Sequence, residues 1–370
     1  MEDIEKAVLG LSLSRADGVG PAKARKLIET FGGLTEVFRA TSAQLRKDGK
    51  LTANTVADLR DPVLRAHSLR DIQNAIALGA KVCVIGDFDY PQRLLRCTDA
   101  PIVIFIQGSP ELNSRRILSV VGTRSISAYG KAACARIIAE LAPYGPTIVS
   151  GLAYGVDICA HREALRHGLP TVACLAHGLH RIYPSDHSSV AKEMLEQGGW
   201  VTEFAPGMQP VRQNFPERNR IIAGISDATL VIESGAKGGS MITARIAASY
   251  NREVFALPGE ILNRNAAGCN GLIRNHEAAL ITQGVQIAQE LGWDTSGRQA
   301  VQMNLLLELN PEQRKVAQII QREGSVHIDT LVAELFDHGI GAGTIPMLLI
   351  EMEMMGTLRQ LPGQRFTLIS

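Results

Sequence analysis

Nine short runs of continuous apolar and β-branched residues, separated by stretches of helical periodicity, occupy the middle of this chain. They are KVCVI (81–85), IVIFI (102–106), ILSVV (117–121), TIVS (147–150), TVACLA (171–176), WVTEF (200–204), ATLVIE (228–233), EVFAL (253–257) and ALIT (279–282). A strand with one wet face alternates polar and apolar residues, whereas a strand that is apolar throughout must be covered on both faces. Amphipathic stretches such as Tyr129–Leu141, Ile158–His167 and Ser188–Gln197 supply that cover. The pattern predicts an α/β fold over residues 79–284. Its sheet is mostly parallel and, with nine strands, extends the basic Rossmann-like count.

The flanks have a different texture. Residues 1–78 carry no strand pattern and predict a small all-α domain with helices at Ile4–Leu13, Pro21–Thr30, Leu34–Arg39 and Val63–Leu78. Within it, Ala16-Asp17-Gly18-Val19-Gly20-Pro21 followed by Lys23, Arg25 and Lys26 is similar to a helix-hairpin-helix turn. Such a turn offers backbone amides to a phosphate, and the basic residues would reinforce it; a vestigial or protein-binding role fits the residues equally. Residues 285–308 read as a linker around the polar WDTSGRQ. Over 309–370 three helices (Glu312–Glu323, Ile328–His338, Gly343–Met355) precede a hairpin, LRQLPGQRFTL (358–368), which is a winged-helix pattern.

Charge narrows the function. With 38 basic and 37 acidic residues the net charge is +1, so a nucleic-acid site must come from local clustering. Residues 308–370 hold five basic and eight acidic residues, a net of −3, and their last helix reads TIPMLLIEMEMMG. A helix entering a major groove needs basic and amide side chains, so protein contact or intramolecular packing is the better expectation there. Six cysteines, none in a C-x-x-C pair, are expected as free thiols in a reducing cytoplasm. The start, MEDIEK, lacks the regions of a signal peptide, and no apolar run approaches the roughly 20 residues that span a bilayer.

Four strand-to-helix turns carry the chemistry. Gly122-Thr123-Arg124 follows ILSVV, with a helix opening near Ser127. A glycine there admits an anion to the backbone, the helix start offers N–H groups, and Arg124 adds a bidentate donor; alone, GTR reads equally as a tight turn with a surface arginine. Ser150-Gly151-Leu152-Ala153-Tyr154-Gly155-Val156-Asp157 is a second such turn, with Asp157 expected as a helix N-cap. Its glycine spacing is not the dinucleotide fingerprint, and no acidic residue ends the following strand to hold a ribose, which disfavours NAD or NADP. Phe215-Pro216-Glu217-Arg218-Asn219-Arg220 sets two arginines beside an aromatic just before a helical run, the composition of a single-strand platform. Both Arg124 and Arg218 are expected to follow turns rather than hold the core. Lys237-Gly238-Gly239-Ser240, with Thr243 downstream, makes another anion nest without the G-K-[ST] of a phosphate loop, so no ATPase and no cofactor is expected. His177, His180, Asp186 and His187 have no closed metal spacing and are expected as solvated loop residues.

Taken in order, VVGTRSISAYG, SGLAYGVDICAH, FPERNRIIAG, KGGSMITA and FALPG resemble the DNA-processing protein A (DprA, or Smf) family over about residues 80–283. The helical domain, SAM-like in that family, and the winged helix follow its domain order more loosely. The resemblance implies a cofactor-free homodimer that binds single-stranded DNA and loads the RecA recombinase during natural transformation. It implies a strand-binding pocket lined by Gly122, Thr123, Arg124, Ser127, Ser150, Gly151, Gly155, Phe215, Arg218, Asn219, Arg220, Lys237, Gly238, Gly239, Ser240 and Thr243. Two departures stand out. Ala176-His177-Gly178-Leu179-His180 replaces the family's G-T-G-L-D, and Ser185 follows Tyr183-Pro184 where a lysine is common. The rival is an enzyme, a nucleoside-monophosphate phosphoribohydrolase of the LOG type. Its P-G-G-x-G-T-x-x-E turn is not matched by AKGGSMITA, which lacks the catalytic acid.

Overall fold

The computed structural model describes residues 2–293, 310–323, 326–337, 340–341, 343–354, 358–361 and 364–368. Residues up to Leu291 form one compact unit and those from Gly292 a second.

In the first unit, six helices precede the sheet: α1 (Glu2–Arg15), α2 (Pro21–Phe31), α3 (Leu34–Arg39), α4 (Ser42–Lys47), α5 (Ala53–Arg60) and α6 (Pro62–Ala77). Helices α4 and α5 lie where the sequence predicted none. Both are short and start at threonine caps, Thr41 and Thr52, whose hydroxyls accept the amides of Gln44 and Thr55, a local signal stronger than their weak apolar periodicity. Leu13, Leu27, Leu45 and Ile72 from these helices share one apolar cluster with Val84, Phe105, Leu152 and Trp200 of the α/β region.

The nine predicted strands are all present: β1 (Lys81–Val84), β2 (Val103–Gly108), β3 (Ile117–Val121), β4 (Thr147–Ser150), β5 (Thr171–Cys174), β6 (Gly199–Thr202), β7 (Ala228–Val231), β8 (Glu253–Ala256) and β9 (Ala279–Leu280). They form one sheet in the order β1-β2-β6-β5-β4-β3-β7-β8-β9. The seven strands from β6 to β9 pair in parallel, and β1 and β2 add an antiparallel edge. Strands β3, β4, β5 and β7 are buried at every position, as two-sided cover requires. Between strands run α7 (Gln92–Leu95), α8 (Ala128–Leu141), α9 (Val156–Arg166), α10 (Ser188–Glu193), α11 (Asn214–Ile225), α12 (Gly239–Ser249) and α13 (Ala267–Arg274). Helix α14 (Gly284–Glu290) runs from the last residue of the expected α/β domain into the segment expected as a linker, and its Gly284 amide donates to Glu140 Oε2 of α8 at 2.6 Å. The remainder of that expected linker, 294–308, lies outside the described residues.

The second unit contains α15 (Pro311–Glu323), α16 (Ile328–Asp337) and α17 (Ile345–Met354) around Val316, Ile320, Leu331, Leu335 and Leu349. A short β10 (Val326–His327) pairs with β12 (Arg365–Leu368), which pairs with β11 (Leu358–Leu361). This is the predicted winged helix with one added strand. Among the described residues no helix is long and apolar enough to cross a membrane.

Candidate functional site

From β3 the chain runs outward through β4, β5 and β6, then returns to the other side of β3 and continues through β7, β8 and β9. Where strand order reverses, the loops beyond the carboxyl ends diverge and leave a crevice. Here it is a cavity of about 150 Å3 whose lining includes Gly122, Arg124, Asp157, Phe215, Arg218 and Thr243.

The turns around it are knitted tightly. Thr123 N donates to Glu233 O at 2.7 Å and Val156 N to Thr123 O at 3.1 Å, joining the turns after β3, β4 and β7. Only glycines permit this approach. A Cβ at Gly122 would lie 2.3 Å from Val156 Cγ2, and one at Gly155, where φ is +79°, would lie 2.1 Å from Thr123 O. Ser127 Oγ accepts the amide of Gly130 at 3.0 Å as N-cap of α8, while Ser127 N donates to Glu233 Oε2 at 2.9 Å. The helix start expected to be open at the GTR turn therefore already holds an anion, the buried carboxylate of Glu233. The sequence signal for this was a lone acid ending the apolar run ATLVIE.

The open helix start is that of α12. Its N-cap, Gly238, has no side chain, and among the described residues the Gly239 and Ser240 amides have no acceptor. Ser240 Oγ donates to Ser234 Oγ at 2.8 Å and braces the turn, while Gly239 and Lys237 are exposed. Arg124 is exposed as well, with its guanidinium carbon 5.3 Å from the Phe215 ring centroid. Neither Arg124 nor Lys237 forms an ion pair among the described residues. Asn219 and Thr243 also line the cavity.

Several expected ligand contacts are scaffold instead. Arg218 is buried; its Nη1 donates to Gly151 O at 2.7 Å and to Cys174 O at 2.5 Å, tying the ends of β4 and β5. Gly151 makes room, since a Cβ there would meet that guanidinium at 2.4 Å. Asp157 faces Arg218 and accepts the amides of Gly151 and Ala153 at 3.1 and 3.4 Å through Oδ2, so it caps its turn, while Gly155 is the N-cap of α9. Burial raises the Asp157 pKa and Arg218 opposes that; burial lowers the Arg218 pKa and Asp157 opposes it. Ser150 is fully buried, and its hydroxyl donates to Val120 O at 2.6 Å.

Arg220 is a clear correction. It is buried away from the cavity, paired with Glu203 and bonded to the Asp99 carbonyl. The sequence reading set the arginines before a helix; they lie inside α11, where residues two apart point to nearly opposite faces. The helix-hairpin-helix-like turn, read equally as a phosphate contact or as a vestigial or protein-binding element, spends one of its basic residues inside the protein. Arg25 donates to the carbonyls of Leu95 and Cys97, both at 2.6 Å, and the turn at Val19–Pro21 faces a cavity of about 400 Å3 shared with the carboxylates Glu203 and Glu217. Burial pushes the Glu203 pKa up to about 7, against the pull of Arg220. His177 and His187, expected in solvent, are buried and bonded through Nδ1 to backbone carbonyls; His180 is exposed. Among the described residues no cluster of three or more His, Cys, Asp or Glu is placed to hold a metal ion.

Comparison with known proteins decides the lineage. Residues 81–292 match the family described as DNA recombination-mediator protein A, and residues 302–364 match the DprA winged helix domain. The chain belongs to the DNA recombination-mediator protein A family. It is 37% identical over 280 residues to Protein Smf of Escherichia coli, covering 74% of each chain. The X-ray structure of DNA processing protein A from Streptococcus pneumoniae is similar at a TM-score of 0.61 and 30% identity, covering 78% of this chain and 98% of that one. DNA processing protein A from Helicobacter pylori, whose structure is described for its single-stranded DNA binding mode, aligns at a TM-score of 0.52 and 28% identity over 58% of this chain and 97% of that one. In this family member, then, Arg124 lines the switch-point crevice and Lys237 stands exposed in the turn before α12, whereas Arg218 and Arg220 are built into the protein.

Proposed function

We propose that the chain binds single-stranded DNA through its phosphate backbone at this crevice, without sequence preference and without chemistry of its own. The observation that carries the reading is that Arg124, without an ion pair among the described residues, lines one cavity with the uncapped start of α12, which the exposed Lys237 precedes by two residues. Backbone amides, a helix dipole and exposed cations suit phosphate and carry no base-edge code. Asp157 is the one acidic side chain lining the cavity among the described residues, and two amides and Arg218 already engage it. That favours a binder over a hydrolase. Kinship with the Helicobacter pylori protein brings the same ligand class to this chain.

Family membership extends the proposal to a cytoplasmic homodimer that protects incoming DNA and loads the RecA recombinase onto it during natural transformation. The test is a mobility-shift titration of the full chain with single- and double-stranded oligonucleotides of equal length at several salt concentrations. The single strand should bind more tightly, and affinity should fall steeply with salt. Equal or tighter binding of the duplex overturns the proposal.

A further inference from the structure

The aromatic that the sequence singled out is already engaged. The guanidinium carbons of Arg124 and Arg218 lie 5.3 and 5.9 Å from the Phe215 centroid, so its π-face serves cations. Two tyrosines on neighbouring turns remain open, each 45% exposed. Tyr154, in the turn after β4, donates its hydroxyl to Asp186 Oδ2 at 2.9 Å and sets its ring edge-on to His187 at 4.9 Å and 70°. Tyr183, in the loop between β5 and β6, stands edge-on to Phe215 at 6.2 Å and 64°. An exposed aromatic ordinarily loses rotamer freedom when it captures a ligand; rings braced this way have lost part of it already.

Their placement follows the sheet. The adjacent strands β7, β3, β4 and β5 present, in that order, Lys237 with the start of α12, then Arg124, Tyr154 and Tyr183. The ends of these four strands are set apart by three inter-strand steps of about 4.8 Å, about 14 Å in all, the length of about four nucleotides of a stacked strand at about 3.4 Å each.

We infer that Tyr154 and Tyr183 form a base-stacking subsite that continues the phosphate crevice and takes unpaired nucleobases of any identity. This rests on the single-strand reading and adds which residues hold the bases. Every base has a π-face, so such a subsite adds affinity without sequence preference.

The test compares two single strands of equal length and phosphate count, a thymine oligomer and an oligomer of abasic sites, by fluorescence anisotropy with the full chain at matched salt. Tyr154→Ala and Tyr183→Ala should each weaken the thymine strand about five- to a hundred-fold and leave the abasic strand unchanged. Tyr183→Phe should bind the thymine strand like the wild type, and Tyr154→Phe, which keeps the ring but loses the Asp186 brace, should lose less than Tyr154→Ala. Equal losses on both strands would mean that the tyrosines only support the fold of the crevice, which overturns the subsite. Tight wild-type binding that the alanine variants leave intact overturns the subsite alone. Failure of the wild type to bind either strand overturns the single-strand reading and the subsite with it.

Discussion

Replacing Arg218 by alanine separates scaffold from ligand contact more sharply than any other single change. The substitution leaves the carbonyls of Gly151 and Cys174 without their donor and leaves Asp157, 7% exposed, without its cation. Removing one partner of a buried pair costs about 3–5 kcal/mol. At about 2–4 °C per kcal/mol for a unit of this size, the melting temperature should fall by about 6 °C or more. Arg124→Ala is the control. Its guanidinium is exposed and bonded to nothing in the core, so melting should hold while single-strand affinity falls by about 1–3 kcal/mol. The pH dependence has a definite sign. Burial already raises the Asp157 pKa above its unfolded value, and loss of Arg218 raises it further. The folded variant then binds a proton more tightly than the unfolded chain, so its stability falls as pH rises from the unfolded carboxylate value through the folded one. The deficit against wild type should therefore shrink in acid. Thermal melts across pH, followed by circular dichroism, read both effects. An Arg218→Ala protein melting within about 1 °C of wild type at neutral pH would refute the scaffold assignment.

Three further outcomes are expected. Lys237→Ala should leave melting unchanged and reduce the slope of log affinity against log salt by about one, measured by anisotropy with single strands. Glu203 has its pKa pushed up to about 7 from an ordinary 4.5; its proton stabilises the fold below the unfolded value, and that contribution is lost as pH rises from 4.5 to 7. The wild type should lose stability relative to Glu203→Gln across that window in urea titrations, and parallel curves would count against it. Deleting residues 308–370, whose net charge is −3, should change the single-strand dissociation constant by less than about tenfold, or 1.4 kcal/mol; a larger loss would make the winged helix a DNA-binding module.

Strand number, strand position and parallel pairing were all legible in the sequence, because a strand buried on both faces must be apolar throughout, and ILSVV or TVAC can be little else. The glycine-rich turns were legible for a related reason. Gly122 and Gly155 stand where any side chain would collide with a neighbouring turn, although what they admit there is another stretch of backbone. Tertiary structure decided which charged groups stay free. In one dimension Arg124, Arg218 and Arg220 look alike. Strand order brings two carbonyls and Asp157 to Arg218, and helical phase turns Arg220 toward Glu203, leaving only Arg124 facing solvent. Likewise Glu233 reaches the start of α8 because β7 lies beside β3, so the vacant helix start is that of α12. Whether a charge is spent inside the protein or kept for a ligand depends on what the fold packs against it, and here the deciding partners stand 17 to 106 positions away along the chain.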